Sequence, residues 1–387
     1  MMNTKNLYVL LCLAALVAGC QSTDKKVAQE QEKNLTDTVG FGGDVDGQKV
    51  GIYKIGTEKG ISASITNYGG RVVSLMVPDA KGKLVDVALG YDSLKTYQKE
   101  GEPFFGALIG RYGNRIAKGK FTLNGKAYQL EINDGVNTLH GGKSGFYGKV
   151  WNVEKSTADS LVLSYLSKDG EGGYPGTLNV KVVYSINKEK GLKIDYEATT
   201  NKETVVNLTN HTYFNLSGEG AKTILDHELW IKAARFTPVD KTLIPTGKLQ
   251  EVKGTPFDFT KAKPIGRDIK NTDEQLKNGE GYDHNFVLDT HDYTQSITSV
   301  RSPLSGIKMD VYTTEPGIQF YSGNFLTGKT TDGKKGKSYP QRSAFCLETQ
   351  HFPDAPNQPA FPSTVLKPGA VYKTSTTYVF SATEPAP

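Results

Sequence analysis

The chain has 387 residues, with 46 lysines and arginines against 41 aspartates and glutamates, a net charge of +5. These charges are spread along the sequence, whereas a nucleic-acid partner calls for a concentrated basic patch, so none is expected. Of the three cysteines, Cys12, Cys20 and Cys346, two fall in the first 20 residues, which excludes a disulfide framework and leaves stability to a buried core.

The first element is "MMNTKNLYVLLCLAALVAGC". Lys5 supplies a positive start, and the apolar run Leu7 to Gly19 is short for a bilayer span. It closes in small residues leading to a cysteine, as a secretory leader does. The ending resembles a bacterial lipoprotein box. The expectation is therefore a signal peptide over residues 1–19, a lipid on Cys20, and an exported lipoprotein, membrane-anchored, in the periplasm or at the cell surface. Membrane contact would be through that lipid alone. Residues 20–41 are polar and read as a flexible tether. Residues 42–387 read as a single domain.

From about residue 48 onward the pattern is alternation. "FTLNGKAYQL" is two short strands joined at Asn124-Gly125, a strong hairpin signal. "SLVLSYLS", "TLNVKVVYSI", "GLKIDYEATT", "HELWIKAA", "GIKMDVYTT", "GIQFYSGNF" and "TTYVFSA" follow as strands. Only "DSLKTYQKEG" and "TDEQLKNGEG" suggest helix, and both are short. The basic run "DGKKGKSYP" has the glycines and proline of a solvated loop. The fold class is all-β, a large many-stranded antiparallel sandwich with a concave face.

Two strands carry residues that a plain sandwich does not need. In "VVNLTNHTYFNLSG", read as one extended strand, Val206, Leu208, Asn210, Thr212, Phe214 and Leu216 share a mostly apolar face. The other face carries Val205, Asn207, Thr209, His211, Tyr213 and Asn215, neutral polar groups beside an aromatic. Such a face suits the hydroxyls and C–H surfaces of a sugar, or else meets neighbouring strands. In "SAFCLETQHFPDAPNQPAFP", Glu348 is an acid inside an apolar strand, costly unless paired or functional. Burial would raise its pKa toward neutrality and suit it to proton transfer. Further candidates are Asn114 and Arg115 in "RYGNRIAKGKF", His140 ahead of two glycines in "NDGVNTLHGGKSGF", and Asp283 in "GEGYDHNFVL". His227, His284, His291 and His351 read as surface or packing residues.

The stretches "GNRIAKGKFTLNG", "NTLHGG", "LTNHTYFNLSG", "GYDHNFVL", "EPGIQFYSGNF" and "CLETQHFPDAPNQPAFPS", in that order, resemble the aldose 1-epimerase (galactose mutarotase) family. That resemblance implies a galactose mutarotase-like β-sandwich with a sugar cleft and without metal or cofactor. It implies an isomerase interconverting the α and β anomers of free aldohexoses such as glucose and galactose. Catalytic base and acid fall on Glu348 and His211, a second histidine near the ring oxygen on His140. Sugar-positioning residues fall on Arg115 and Asp283, with Asn114 and Gln319 as further contacts. The mechanism asks for two groups of similar pKa, a desolvated Glu348 and a His211 near the ordinary value of about 6.5.

Read without the family, the residues leave other functions open. A noncatalytic sugar-binding lipoprotein would explain the polar strand face. A glycosidase could use Asp283 as a second carboxylate. A hexose-6-phosphate epimerase would need a cation cluster, and the chain has seven arginines, with only Arg111 near Arg115. His140, His211, Asp283 and Glu348 are metal-ligand types at scattered spacing.

Overall fold

The computed structural model of the chain describes residues 40–187, 191–329 and 331–384. The expected signal peptide, Cys20 and most of the tether lie outside the described residues. Phe41, expected in the tether, belongs to the folded part: it is buried, and its ring lies 6.1 Å from that of Tyr97. The Leu94 N–H donates to Gly40 O at 2.7 Å, tying the same segment to a helix start. Among the described residues no helix is long and apolar enough to cross a membrane.

The largest sheet has nine strands in the order Asn152–Ser156, Ser160–Ser167, Leu178–Ile186, Gly191–Thr200, Tyr372–Ala382, Ile307–Thr313, Thr298–Arg301, Glu228–Ile231 and Lys263–Pro264. A five-stranded sheet runs Gln250–Glu251, Arg235–Phe236, Asp283–Val287, Gly317–Tyr321 and Cys346–Gln350. A four-stranded meander comprises Ile52–Gly56, Ser62–Thr66, Arg71–Pro78 and Leu84–Asp86. The pairings within these sheets are antiparallel. Period-two burial drives their packing: Leu178, Val180, Val182 and Tyr184 alternate with exposed or half-buried neighbours. Those four join Ile65 and Leu75 of the meander and Phe286, Ile318 and Leu347 of the five-stranded sheet in one apolar layer. The all-β sandwich read from the alternation is what forms.

The short elements follow their local chemistry. Lys120–Leu123 and Lys126–Gln129 pair through Leu123↔Lys126, so Asn124 and Gly125 alone make the turn. Both have positive φ, 51° and 73°, as a type I′ turn requires. The two helical segments shrink to Leu94–Tyr97 and Glu274–Asn278. The basic run closes inward at one residue: the Lys334 ammonium donates to Val73 O, Ala88 O and Asp86.

The stretch 205–216 is not one long strand. It is Thr204–Val205 and Thr209–His211, the latter paired with Ala107–Ile109, so His211 ends a short strand and does not sit in the middle of a long one. The Asn210 carboxamide oxygen accepts the Thr212 N–H at 3.1 Å and its hydroxyl at 2.5 Å, which turns the chain there. The apolar face is as expected, with Val206, Leu208, Phe214 and Leu216 in the core. The polar face divides. Asn207 donates to Gly113 O and His351 O and accepts from His351 N; Asn215 donates to the carbonyls of Ala221, Thr223 and Ser343. Both are staples between segments, and only His211 and Tyr213 reach the cleft described next.

Candidate active site

The five-stranded sheet builds the floor of a cleft of about 310 Å³. Its register sets Asp283, Tyr321 and Cys346 opposite one another in one row, and Asn285, Gln319 and Glu348 in the next. Opposed residues in an antiparallel sheet point to the same side, so these polar groups share one face while His284, Phe320 and Leu347 share the other. The buried acid in the apolar strand "CLETQ" is thereby explained: its odd-numbered neighbours are core and Glu348 is cleft.

Glu348, His211 and His140 lie together, with candidate ligating atoms all within 4.8 Å of one another. They are 2%, 5% and 4% exposed. His211 Nε2 is 3.7 Å from Glu348 Oε1, beyond a direct hydrogen bond. Glu348 Oε2 is buried without a hydrogen-bond partner among the described residues. An orphaned buried carboxylate oxygen costs about 1–3 kcal/mol or more, which a fold retains where a ligand will satisfy it. Burial, with the charge of Asp283 adding to it, holds the Glu348 carboxyl well above the ordinary range.

Burial also pushes His211 down to about 3, with Arg71 contributing in the same direction against a backbone hydrogen bond. The expectation that His211 keeps an ordinary imidazole value is therefore wrong. Tyr213 stacks on the ring at 5.0 Å and Tyr321 meets it at 6.4 Å, leaving little water to solvate an imidazolium. Its Nδ1 lies 3.5 Å from Cys346 Sγ, a thiol kept protonated by burial.

His140 is fixed differently. The Asn114 N–H donates to its Nδ1 at 3.2 Å, so a neutral His140 carries its proton on Nε2. The His140 N–H returns a bond to Asn114 O at 3.0 Å. Both residues have positive φ, 61° for Asn114 and 53° for His140, and this reciprocal pair holds them there. Burial first, then His211 and Arg115, keep His140 well below the ordinary value. The fixed tautomer also bears on a metal: coordination through Nε2 requires the proton on Nδ1, where Asn114 already donates. The trio with Glu348 has ligand spacing but the wrong proton arrangement on His140.

Arg115 and Asp283 line the same cleft. Arg115 Nε bonds Asp134 at 2.8 Å and its Nη1 is 4.0 Å from Asp283 Oδ2. Burial raises the Asp283 carboxyl, countered by Arg115 and by Gln319, whose Nε2 donates to Oδ1 at 2.7 Å. Gln319 stands beside Asp283 in the sheet and holds it, and is not itself among the residues lining the cleft. Sequence reading missed Glu102, Phe104, Asn133, Tyr321 and Phe325, all at the cleft. Glu102, Phe104, Asn133 and Phe325 carry no local signal; Tyr321 could have been found, two residues from Gln319 on the same strand face. Arg111 is enclosed, donating to the carbonyls of Ser167, Pro175 and Gly176, and is no phosphate ligand. Of the other histidines, His227 and His284 are buried packing residues, His291 is exposed, and His351 bonds Glu315 at 2.6 Å.

The sequence and the fold both match known proteins. The aldose 1-epimerase family profile matches residues 51–379. The galactose mutarotase of Sus scrofa is 47% identical over 321 residues, covering 83% of this chain and 91% of that protein. The aldose 1-epimerase of Escherichia coli K12 is 36% identical over 340 residues, 87% of this chain and 97% of that protein. Among solved structures, an aldose epimerase homologue from C. elegans superposes with a TM-score of 0.78 at 31% identity, covering 87% of this chain and all of the other. Galactose 1-epimerase from Lactobacillus acidophilus NCFM gives 0.78 at 26% identity, covering 89% and 98%. The chain is a member of the aldose 1-epimerase family.

Proposed function

We propose that Glu348 and His211 are the proton-exchanging pair of a mutarotase that opens and recloses the ring of free aldohexoses such as glucose and galactose. The chain is an aldose 1-epimerase by family, and the supporting observation for the residue roles is the facing pair itself: a carboxyl and an imidazole 3.7 Å apart, buried, with Glu348 Oε2 unpartnered among the described residues.

Opening the pyranose breaks C1–O5, removes the proton of the C1 hydroxyl and delivers one to O5. Glu348 takes the first and His211 supplies the second; after rotation about C1–C2 the transfers reverse on the other face of C1. No covalent bond to the protein forms. The pair holds one proton throughout, alternating between carboxylate with imidazolium and carboxylic acid with imidazole. In the empty cleft burial favours the uncharged form. A bound sugar, bringing hydroxyls into the cleft, offsets part of that cost and makes the ion-pair form accessible. His140, whose free N–H is at Nε2, donates to the oxygen on which charge develops. Arg115 and Asp283 direct the hydroxyl pattern, with Asn114 setting His140 and Gln319 setting Asp283.

Polarimetry of freshly dissolved α-D-galactose tests this. Wild-type protein should speed the approach to equilibrium, and Glu348→Gln should lose roughly 10²–10⁴-fold of that acceleration. A Glu348→Gln protein with near-wild-type rate would remove Glu348 from the chemistry. We further propose that Cys20 carries lipid and that the enzyme works outside the cytoplasm, supported by the leader-like residues 1–19. Labelled fatty acid should enter the wild-type protein and not Cys20→Ala; equal labelling of both would refute it.

A further inference from the structure

We infer that Phe104 is a specificity-determining wall of the sugar site, held in a strained conformation over His140 and His211 by a buried Arg71–Glu102 pair. Phe104 has φ 64°, in the left-handed region where a bulky side chain is an outlier. Such strain persists only where the surroundings over-determine it. Here they do. The segment is bounded by Gly101 and Gly106, with φ 74° and 66°. Within it, Glu102 Oε1 accepts the Phe105 N–H at 2.7 Å and Oε2 meets Arg71 Nη2 at 2.8 Å. Arg71 also donates to Phe105 O at 3.0 Å and Tyr147 O at 3.1 Å, and its guanidinium lies 4.9 Å from the Tyr97 ring centre.

The two adjacent phenylalanines are thereby sent to different places. Phe105 is buried among Tyr91, Tyr213 and Tyr339, 4.8–5.4 Å away. Phe104 stays half-buried at the cleft, with its ring 4.8 Å from His140, 4.8 Å from Tyr147 and 5.8 Å from His211. An aromatic ring there does two things. It offers an apolar face to the C–H side of the sugar, and it excludes water from both imidazoles. Arg71 and Glu102 are positioning residues, since they act through the loop. The sugar-facing half of the inference rests on the mutarotase reading; the shielding half does not.

The test uses full-length protein and two readouts. In the ligand-free state, NMR titration of the imidazoles of Phe104→Ala should move the midpoints of His140 and His211 upward, toward the ordinary histidine value. The groups facing them are untouched by the substitution: Glu348, Cys346, Tyr213, Tyr321 and Arg71 for His211, Arg115 for His140, and each imidazole for the other. In galactose anomer exchange, KM should rise roughly fivefold to tenfold, the size of losing one aromatic face, with a smaller change in kcat. Glu102→Gln should move KM the same way. Phe104→Leu keeps the bulk and serves if the alanine variant does not fold. Unchanged midpoints and unchanged KM in a folded variant would overturn the inference. Wild-type protein that does not speed exchange would sink the mutarotase reading together with the sugar-facing half, leaving the titration to judge the shielding alone.

Discussion

Glu348 is a carboxyl that the fold holds at a cost. Its pKa in the folded protein lies well above its ordinary value of 4.5, because burial and Asp283 both disfavour the charge. A raised folded pKa means that the native state binds the proton more tightly than the unfolded chain does. Stability is therefore highest below about the ordinary value and falls as pH rises through the window up to the folded pKa. Glu348→Gln removes that dependence. We expect Glu348→Gln to melt higher than wild type at pH 7 to 8, by roughly 1–4 °C, with the advantage shrinking toward pH 4.5. An advantage independent of pH would mean that packing, and not charge, is responsible. His211 has the opposite sign: its folded value of about 3 makes stability fall as pH drops from about 6.5. Reading the sequence locates Glu348 and anticipates its shift, because an acid inside an apolar strand is too costly to keep unless it is paired or does chemistry. It misjudges His211, because the Tyr213 and Tyr321 rings that dry it come together only through the tertiary fold.

At the level of elements, the strands and the Asn124-Gly125 hairpin are legible because period-two alternation and turn chemistry are local. Gly125 has open space around its Cβ position and φ 73°, so Gly125→Ala meets conformational strain without a clash. It should cost about 1 kcal/mol in urea unfolding. The segment around His211 is less legible, because its asparagines look like ligand groups and serve as staples. Asn207 bridges Gly113 and His351, adjoining Asn114 on one side and the Glu348 strand on the other. Asn207→Ala leaves the His351 N–H and two carbonyls without their partner and should cost about 2–4 kcal/mol, read as a lower urea midpoint. A near-neutral effect would show that these bonds are replaced by water.

For the whole molecule, Phe41 is part of the packed body, because its buried ring rests against that of Tyr97. Protein beginning at Gly40 should keep wild-type kcat/KM, since the cleft lining among the described residues begins at Gly101. Protein beginning at Gly43 loses the Phe41 contact with Tyr97 and should melt lower by roughly 3 °C or more. Equal melting temperatures would mean that the Phe41 contact adds nothing to stability. Large-scale architecture was legible from alternation and from the absence of long helical patterns. The assembly of the cleft was not, because Phe104, His140, His211, Asp283 and Glu348 come from five separate segments, brought together by the sheet register, the pairing of Thr209–His211 with Ala107–Ile109, the Asn114–His140 bonds and the 101–106 loop. On the proposed mechanism, the single proton shared by Glu348 and His211 has a consequence for the medium. A catalyst that hands one proton across its substrate and takes it back finishes each turnover in the ionisation state in which it began. It owes nothing to dissolved acids or bases, so at fixed pH and ionic strength its rate should stay level as buffer concentration rises, while the uncatalysed interconversion of the same sugar climbs with it.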